Sequence, residues 1–128
     1  MQNRFMFRVP FFNNDDKFIG YEYCDMINGI KAYNAGTCHK GNIQLSTGLK
    51  DKNRKLIYEG DIVKLSGNDN PYMNNLIGVV KYSQEYAIFF INIPNNIAWY
   101  EFCEVNKKEL KIIGNIYKNP ELLKEVKQ

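Results

Sequence analysis

The chain has 128 residues, of which 45% are hydrophobic, and this is enough to bury the core of one domain. Its 17 basic and 14 acidic residues give a net charge of +3, a balance that neither requires nor excludes a polyanionic partner. The three cysteines are irregularly spaced and do not suggest a disulfide framework, and no apolar stretch approaches the roughly 20 residues of a membrane span, so we expect a cytoplasmic protein.

Residues 4–12 predict the first β-strand. In an extended chain Phe7 and Val9 lie on one side and Arg8 lies on the other, because side chains alternate with a period of two. The pattern therefore predicts a strand with one apolar side and one basic side.

Turn residues separate this strand from a second one. The polar run at residues 13–17 predicts the turn, and residues 18–23 predict a returning strand with a possible bulge at Gly20. Turn signals dominate residues 25–41, with one short strand predicted at residues 30–33. The N-terminal part is thus predicted to be a β-hairpin.

Two turns and two strands follow. Residues 50–55 form a polar run in which Asp51 can accept hydrogen bonds from nearby backbone N–H groups and close a turn. Residues 56–58 then predict a strand, Gly60 predicts a second turn with a positive φ, and residues 62–65 predict the next strand.

Four further strands are predicted after a polar loop at residues 66–75. Their predicted ranges are 76–82, 86–93, 98–102 and 110–117. With the strand before the loop they make five short strands, a long first loop and tight later turns. This arrangement is typical of an SH3-like barrel.

A short helix is predicted at the C-terminal end. Asn119 can cap it, the proline that follows is tolerated in a first turn, and the helix is expected to end by Val126. We therefore predict an all-β protein, a single domain over residues 1–128. An N-terminal hairpin region (1–45) precedes a small barrel with a short C-terminal helix (46–128).

Three stretches of the sequence carry a family resemblance. Residues 47–63 (TGLKDKNRKLIYEGDIV), then residues 78–80 (GVV), then residues 113–123 (IGNIYKNPELL) resemble the YopX family of phage and prophage proteins. The basic and aromatic start at residues 4–8 is similar to that family as well. The resemblance implies a small β-barrel and a phage or prophage origin, and it brings no established activity with it.

The chain departs from this family in the turn at residues 50–55. The family commonly has glycine after the asparagine of the turn, and Arg54 occupies that position here. An Asn-Gly pair would favour a two-residue type I′ turn, whereas Asn53 followed by arginine favours a longer or differently shaped loop.

Cysteine and histidine side chains offer one candidate metal site. Cys38 and His39, together with Cys24 and Cys103, could form a Cys3His zinc site, but the short paired spacings typical of structural zinc are missing. Cys38 and His39 are also adjacent, which does not suit a nucleophilic dyad. We expect instead that Cys24 and Cys103 are buried and that Cys38 and His39 lie in a loop.

Acidic side chains offer a second candidate site. Asp51, Glu59 and Asp61 could bind a metal or act as acid and base, but turn formation already explains them. We therefore expect no catalytic residue, no metal site, no cofactor and no enzymatic activity.

The leading functional hypothesis is a non-enzymatic phage or prophage accessory protein that acts as an oligomeric binding module in the host cytoplasm. Its partner would be a second copy of itself, with a host or phage protein also possible as a partner and no membrane involved. The aromatic hairpin is the expected contact, because an exposed strand edge can pair with another chain. The predicted contact residues are Arg4, Phe5, Phe7, Phe11, Phe12, Tyr21 and Tyr23.

The alternative hypothesis is a protein that binds RNA, single-stranded DNA or a signalling nucleotide to regulate or counter host functions. Basic and aromatic residues interleave as they do on surfaces that neutralise phosphates and stack bases, although several acidic residues lie nearby. The predicted surface comprises Lys50, Lys52, Arg54, Lys55, Lys81, Tyr82, Trp99 and Tyr100.

Overall fold

The computed structural model describes residues 6–25, 38–66, 74–94, 98–106 and 108–124. Within these ranges the chain forms ten β-strands in two sheets, all paired antiparallel, and one short α-helix. Arg4, Phe5, the strand predicted at 30–33, most of the loop predicted at 66–75 and Val126 lie outside the described residues. No helix in the described ranges is long and apolar enough to cross a membrane.

The first sheet contains the predicted hairpin and three further strands. Its strands are β1 (Met6–Asn13), β2 (Phe18–Asp25), β3 (Cys38–Lys40), β4 (Gln44–Lys50) and β5 (Leu56–Tyr58). The order across the sheet is β2-β1-β4-β5, and β3 pairs with the end of β1. The hairpin prediction is confirmed, with a register shift after Phe11, which pairs with Gly20.

The second sheet contains the five strands predicted for the barrel. They are β6 (Asp61–Lys64), β7 (Ile77–Ser83), β8 (Ile88–Ile93), β9 (Ala98–Glu101) and β10 (Lys111–Asn115). The order is β10-β6-β7-β8-β9, and the sheet curls into a half-barrel. The helix α1 (Glu121–Lys124) follows it, as predicted. The all-β class with a short C-terminal helix is thus confirmed, and a specifically SH3-like barrel stays a prediction.

The main core lies on the concave side of the second sheet. Alternation in β7 and β8 directs Val80 and Ile91, which pair across the two strands, into this core. The buried members of the core are Ile57, Val63, Leu65, Val80, Ile91, Ile93, Phe102, Val105 and Leu110. Ile57 comes from β5, so the first sheet helps to close the core.

The turn at residues 50–55 is shaped by one carboxylate, as predicted. Asp51 Oδ1 accepts hydrogen bonds from the N–H groups of Asn53 (2.8 Å) and Lys55 (2.9 Å), and Oδ2 accepts one from Ile112 in β10 (3.0 Å). Arg54 has a φ of 67°, the left-handed conformation that a glycine adopts without strain. Asp51 N–H donates to the Lys55 carbonyl oxygen, so the loop is longer than a two-residue turn.

The chain passes from the first sheet to the second within two residues. Gly60 has a φ of 84°, which confirms the predicted turn, and its N–H donates to the Val80 carbonyl oxygen at 2.9 Å. The N–H of Tyr58 donates to Asp61 Oδ2 across the bend at 2.9 Å. The change of sheet therefore falls at Glu59 and Gly60, whereas the predicted boundary after residue 45 lies inside β4.

Two predictions about cysteine are wrong. Cys103 is exposed, because it lies in a 3-10 turn at Phe102–Glu104 in which Phe102 takes the position that faces the core. Cys38 and His39 lie in β3 rather than in a loop, because β3 pairs with β1. Cys24 is buried, as predicted, and burial raises the pKa of its thiol.

Candidate functional site

A buried arginine joins the two sheets. Arg8 is only 3% exposed, and its Nη1 lies 2.9 Å from Asp61 Oδ1. Its Nε donates to Gln44 Oε1 at 2.8 Å, and its Nη2 donates to the Glu59 carbonyl oxygen at 2.9 Å. A cation from β1 is thus paired with a carboxylate from β6, and two neutral oxygens accept further hydrogen bonds from it.

Two tyrosine rings enclose the guanidinium of Arg8. Its central carbon lies 4.0 Å from the centroid of the Tyr21 ring and 4.9 Å from that of Tyr58, within the range of cation–π attraction. Burial raises the pKa of the Tyr21 phenol above its ordinary value and that of Tyr58 to about 12. Both hydroxyl groups are therefore neutral at pH 7.

Asp61 is buried to the same extent as its partner. Burial raises the pKa of this carboxyl above the usual aspartate value, while the Arg8 charge and the N–H of Tyr58 act in the opposite direction. The nearby Arg8 guanidinium is thus the main influence that favours the carboxylate form of Asp61.

The alternation in the first strand did not predict that Arg8 is buried. Alternation correctly separates Arg8 from Phe7 and Val9, but both faces of β1 are covered, and the second sheet lies over the Arg8 side. Period-two alternation shows which side chains share a face and does not show which faces are buried. The sequence did offer one signal of a buried arginine, which is its position in a strand otherwise rich in aromatic residues.

A cleft opens beside this ion pair, between the outer strands β5 and β10. It encloses about 610 Å³, and Arg8 and Asp61 lie at its base. The residues that line it are Arg8, Tyr23, Lys55, Leu56, Tyr58, Asp61, Ile112, Ile113, Gly114, Asn115, Lys118 and Asn119. Its charged side chains are three cations and one carboxylate, so the lining carries a net charge of about plus two.

The predicted oligomer contacts fall in three environments. Phe7 and Phe11 are buried in a small cluster of the first sheet's own residues. Phe12 and Tyr21 pack against Tyr117, with ring centroids 5.1 and 6.4 Å away. Tyr23 is 57% exposed and lines the cleft, so it is the most exposed of the predicted contacts that the structure describes.

The predicted ligand surface is divided in two. Its first group consists of four exposed cations around the β4–β5 turn, Lys50, Lys52, Arg54 and Lys55, of which Lys55 lines the cleft. Its second group lies on the second sheet, where Tyr82 and Trp99 line a groove of about 400 Å³. The predicted surface is therefore not one continuous site.

The groove on the second sheet includes two more aromatic rings. Tyr86 stacks on Trp99 with centroids 6.5 Å apart, and Phe90 packs edge-on against Trp99 at 5.2 Å. Lys81 is exposed on β7 and pairs with Phe90 in register, so it lies beside this groove. Tyr100 lies on the opposite face of β9 and packs against the main core.

No group of three or more histidine, cysteine, aspartate or glutamate side chains in the described ranges is arranged to hold a metal ion. His39 instead lies beside one carboxylate, with its Nε2 3.2 Å from Asp16 Oδ1 at the surface. Asp51 and Asp61 each accept backbone N–H hydrogen bonds, as described above, so both carboxylates have structural partners.

Two antiparallel sheets joined through a buried ion pair, with a cleft between their outer strands, define a small two-sheet β protein. The chain belongs to the YopX family: the family described as YopX protein matches residues 12–124, a range that begins near the end of β1 and includes the other nine strands and α1. This confirms the resemblance seen in the sequence motifs.

One solved structure is similar over most of its length. The crystal structure of protein EF1440 from Enterococcus faecalis is 25% identical, with a TM-score of 0.48, and the match covers 91% of this chain and 96% of that one. No curated protein matches the chain.

Proposed function

We propose that this YopX-family chain is a non-enzymatic accessory protein of phage or prophage origin, that it acts by binding in the host cytoplasm, and that it assembles with copies of itself. Family membership supports the origin. The first sheet supports the assembly, because one of its outer strands presents apolar side chains to solvent.

The observation that carries this proposal is the position of β2. In the described part of the chain β2 is one of the two outer strands of the first sheet and pairs with β1. Ile19 and Tyr23 on this strand are each 57% exposed. An apolar outer strand favours pairing with an identical strand about a twofold axis, which would join two first sheets into one.

The mass of the protein in solution tests the assembly. We expect the wild-type chain to run as a dimer or larger species in light scattering, and Ile19→Lys to run as a monomer, because a charge on an outer strand opposes pairing. Tyr86→Lys, at a residue 65% exposed in the turn between β7 and β8, is the matched control and should keep the wild-type mass. A monomeric wild type, or an Ile19→Lys variant of unchanged mass, would contradict the proposal.

A second candidate function is supported by the aromatic groove. Tyr82, Tyr86 and Trp99 are 39%, 65% and 48% exposed, which is unusual for rings of this size on one small surface, and Lys81 lies beside them. Exposed rings next to a cation can stack the bases and neutralise the phosphates of single-stranded nucleic acid.

Fluorescence tests this second function directly, because Trp99 is the only tryptophan in the chain. We expect oligo(U) or oligo(dT) to quench its emission, with an affinity that falls steeply as salt rises. Tyr86→Ala should weaken binding by about 1–3 kcal/mol through loss of one stacked base, while Lys108→Ala serves as a control. Absence of quenching at low salt would rule this candidate out.

A further inference from the structure

We infer that the cleft between β5 and β10 is a binding site for a nucleoside monophosphate, in which a ribose links a phosphate monoester to a flat base. The site is separate from the aromatic groove, because Trp99 does not line it. The inference does not depend on self-assembly through β2. Its volume of about 610 Å³ is that of an ordinary small-molecule site.

Charge in the cleft matches one phosphate monoester. Arg8 and Asp61 neutralise one another at the base, at 2.9 Å. Lys55 and Lys118 remain, one just before β5 and the other just after β10, so they stand on opposite walls of the cleft. Two ammonium groups correspond to the roughly −1.5 to −2 charge that a phosphate monoester carries at pH 7.

One tyrosine in the cleft is suited to holding a flat ring. Tyr23 is more than half exposed, and its ring packs edge-on against Tyr58 with centroids 5.5 Å apart. Tyr58 is itself held against the Arg8 guanidinium. The Tyr23 ring is therefore positioned before a ligand arrives, and Leu56 provides an apolar side chain in the same lining.

Two asparagines supply hydrogen-bond donors of fixed position. Asn115 Oδ1 accepts from the N–H groups of Tyr117 (3.0 Å) and Lys118 (2.9 Å), and Asn119 Oδ1 accepts from the Asn115 N–H at 3.3 Å. Because the oxygens are engaged with the backbone, the NH2 group of each side chain is the end available to a ligand. Such donors suit phosphate oxygens and the carbonyl groups of bases.

A peptide strand laid along β10 is the competing occupant, and the structure disfavours it. The outer side of β10 is already hydrogen-bonded to the β4–β5 turn. The Ile112 N–H donates to Asp51 Oδ2, and the backbone N–H of Lys52 donates at 2.7 Å to the carbonyl oxygen of Leu110, just before β10. These contacts close one end of the cleft. A strand that adds to a sheet needs a longer free edge than this.

Calorimetric titration of the full chain tests the inference with AMP, GMP, CMP and UMP in turn. We expect at least one of them to bind, and the matching nucleoside and ribose 5-phosphate each to bind about tenfold or more weakly. Lys118→Ala and Tyr23→Ala should each weaken that nucleotide by about tenfold. Both side chains are at the surface, and circular dichroism will confirm that the variants fold.

Lys52→Ala and Lys124→Ala are the matched controls, because both lysines are exposed and neither lines the cleft. They should leave the affinity unchanged. Absence of binding by all four nucleotides would overturn the inference. So would equal affinity for inorganic phosphate, or variants at Lys118 and Tyr23 that bind as the wild type does. None of these results alters the expected mass of the wild-type protein, so failure of this inference and failure of self-assembly are distinguishable.

Discussion

Arg8→Met is expected to lower the free energy of unfolding by about 3–5 kcal/mol, because it leaves the Asp61 carboxylate buried without its cation. Gln44 and the Glu59 carbonyl oxygen would lose their donor in the same change. A domain of this size has about 5–15 kcal/mol of stability in total, so the variant should unfold at a much lower urea concentration. Urea denaturation followed by far-ultraviolet circular dichroism measures the loss.

The double variant Arg8→Met with Asp61→Asn is the control for this result. It removes both charges, and the asparagine side-chain oxygen can still accept the Tyr58 N–H, so it should recover part of the lost stability. If the double variant is as unstable as the two single variants added together, the ion pair is not the origin of the loss.

The loss of unfolding free energy caused by Arg8→Met should also depend on pH. Asp61 already has a raised pKa in the folded wild type, and removal of Arg8 removes the first of the opposing influences, so the pKa rises further. Asp61 in the folded variant then takes up a proton more readily than in the unfolded chain. The loss of unfolding free energy caused by the unpaired carboxylate is therefore present above the folded-state pKa of Asp61 and decreases as the pH falls through that pKa. A deficit relative to wild type that grows towards acid pH would contradict this account.

Gly60→Ala is the second large effect, with an expected loss of about 2–4 kcal/mol. Gly60 has a φ of 84°, which a residue with a Cβ adopts only with strain, and the added Cβ would overlap the Gln44 side chain. Gln44 would have to move, and Arg8 would lose the acceptor of its Nε proton. Thermal or urea denaturation measures the loss.

Gly20→Ala separates the two causes of this effect. Gly20 also has a positive φ, of 152°, but nothing lies within 4 Å of a Cβ built there, so only backbone strain should appear. A Gly20→Ala variant as unstable as Gly60→Ala would show that contact with Gln44 contributes nothing.

Strands of the second sheet were predicted almost completely from the sequence. Residues 98–102 were predicted as a strand and β9 ends at Glu101; residues 76–82 were predicted and β7 is Ile77–Ser83. Runs of apolar and aromatic residues bounded by turn residues are local signals of a strand. They predict the folded structure correctly here because the core beside this sheet buries the same apolar residues. The turn made by Asp51 was predicted for the same reason.

The cleft could not be predicted, because its residues converge only when the two sheets pack together. Tyr23 and Lys118 are far apart in the chain, and nothing local to either one indicates the other. The burial of Arg8 was not predicted for a related reason, since the residues that cover it come from a different sheet. Lys55 was found, although as part of a basic turn rather than as part of a cleft.

The short passage between the sheets, which consists of Glu59 and Gly60, leaves no room for a hinge. Arg8 holds the Glu59 carbonyl oxygen, and Val80 holds the Gly60 N–H, so neither linking residue is free to change its backbone angles. Closure of two bodies around a ligand needs linking residues that can absorb such changes. The cleft should therefore keep one width throughout binding, and diffusion and charge, rather than an opening step, should set the rate at which a ligand enters.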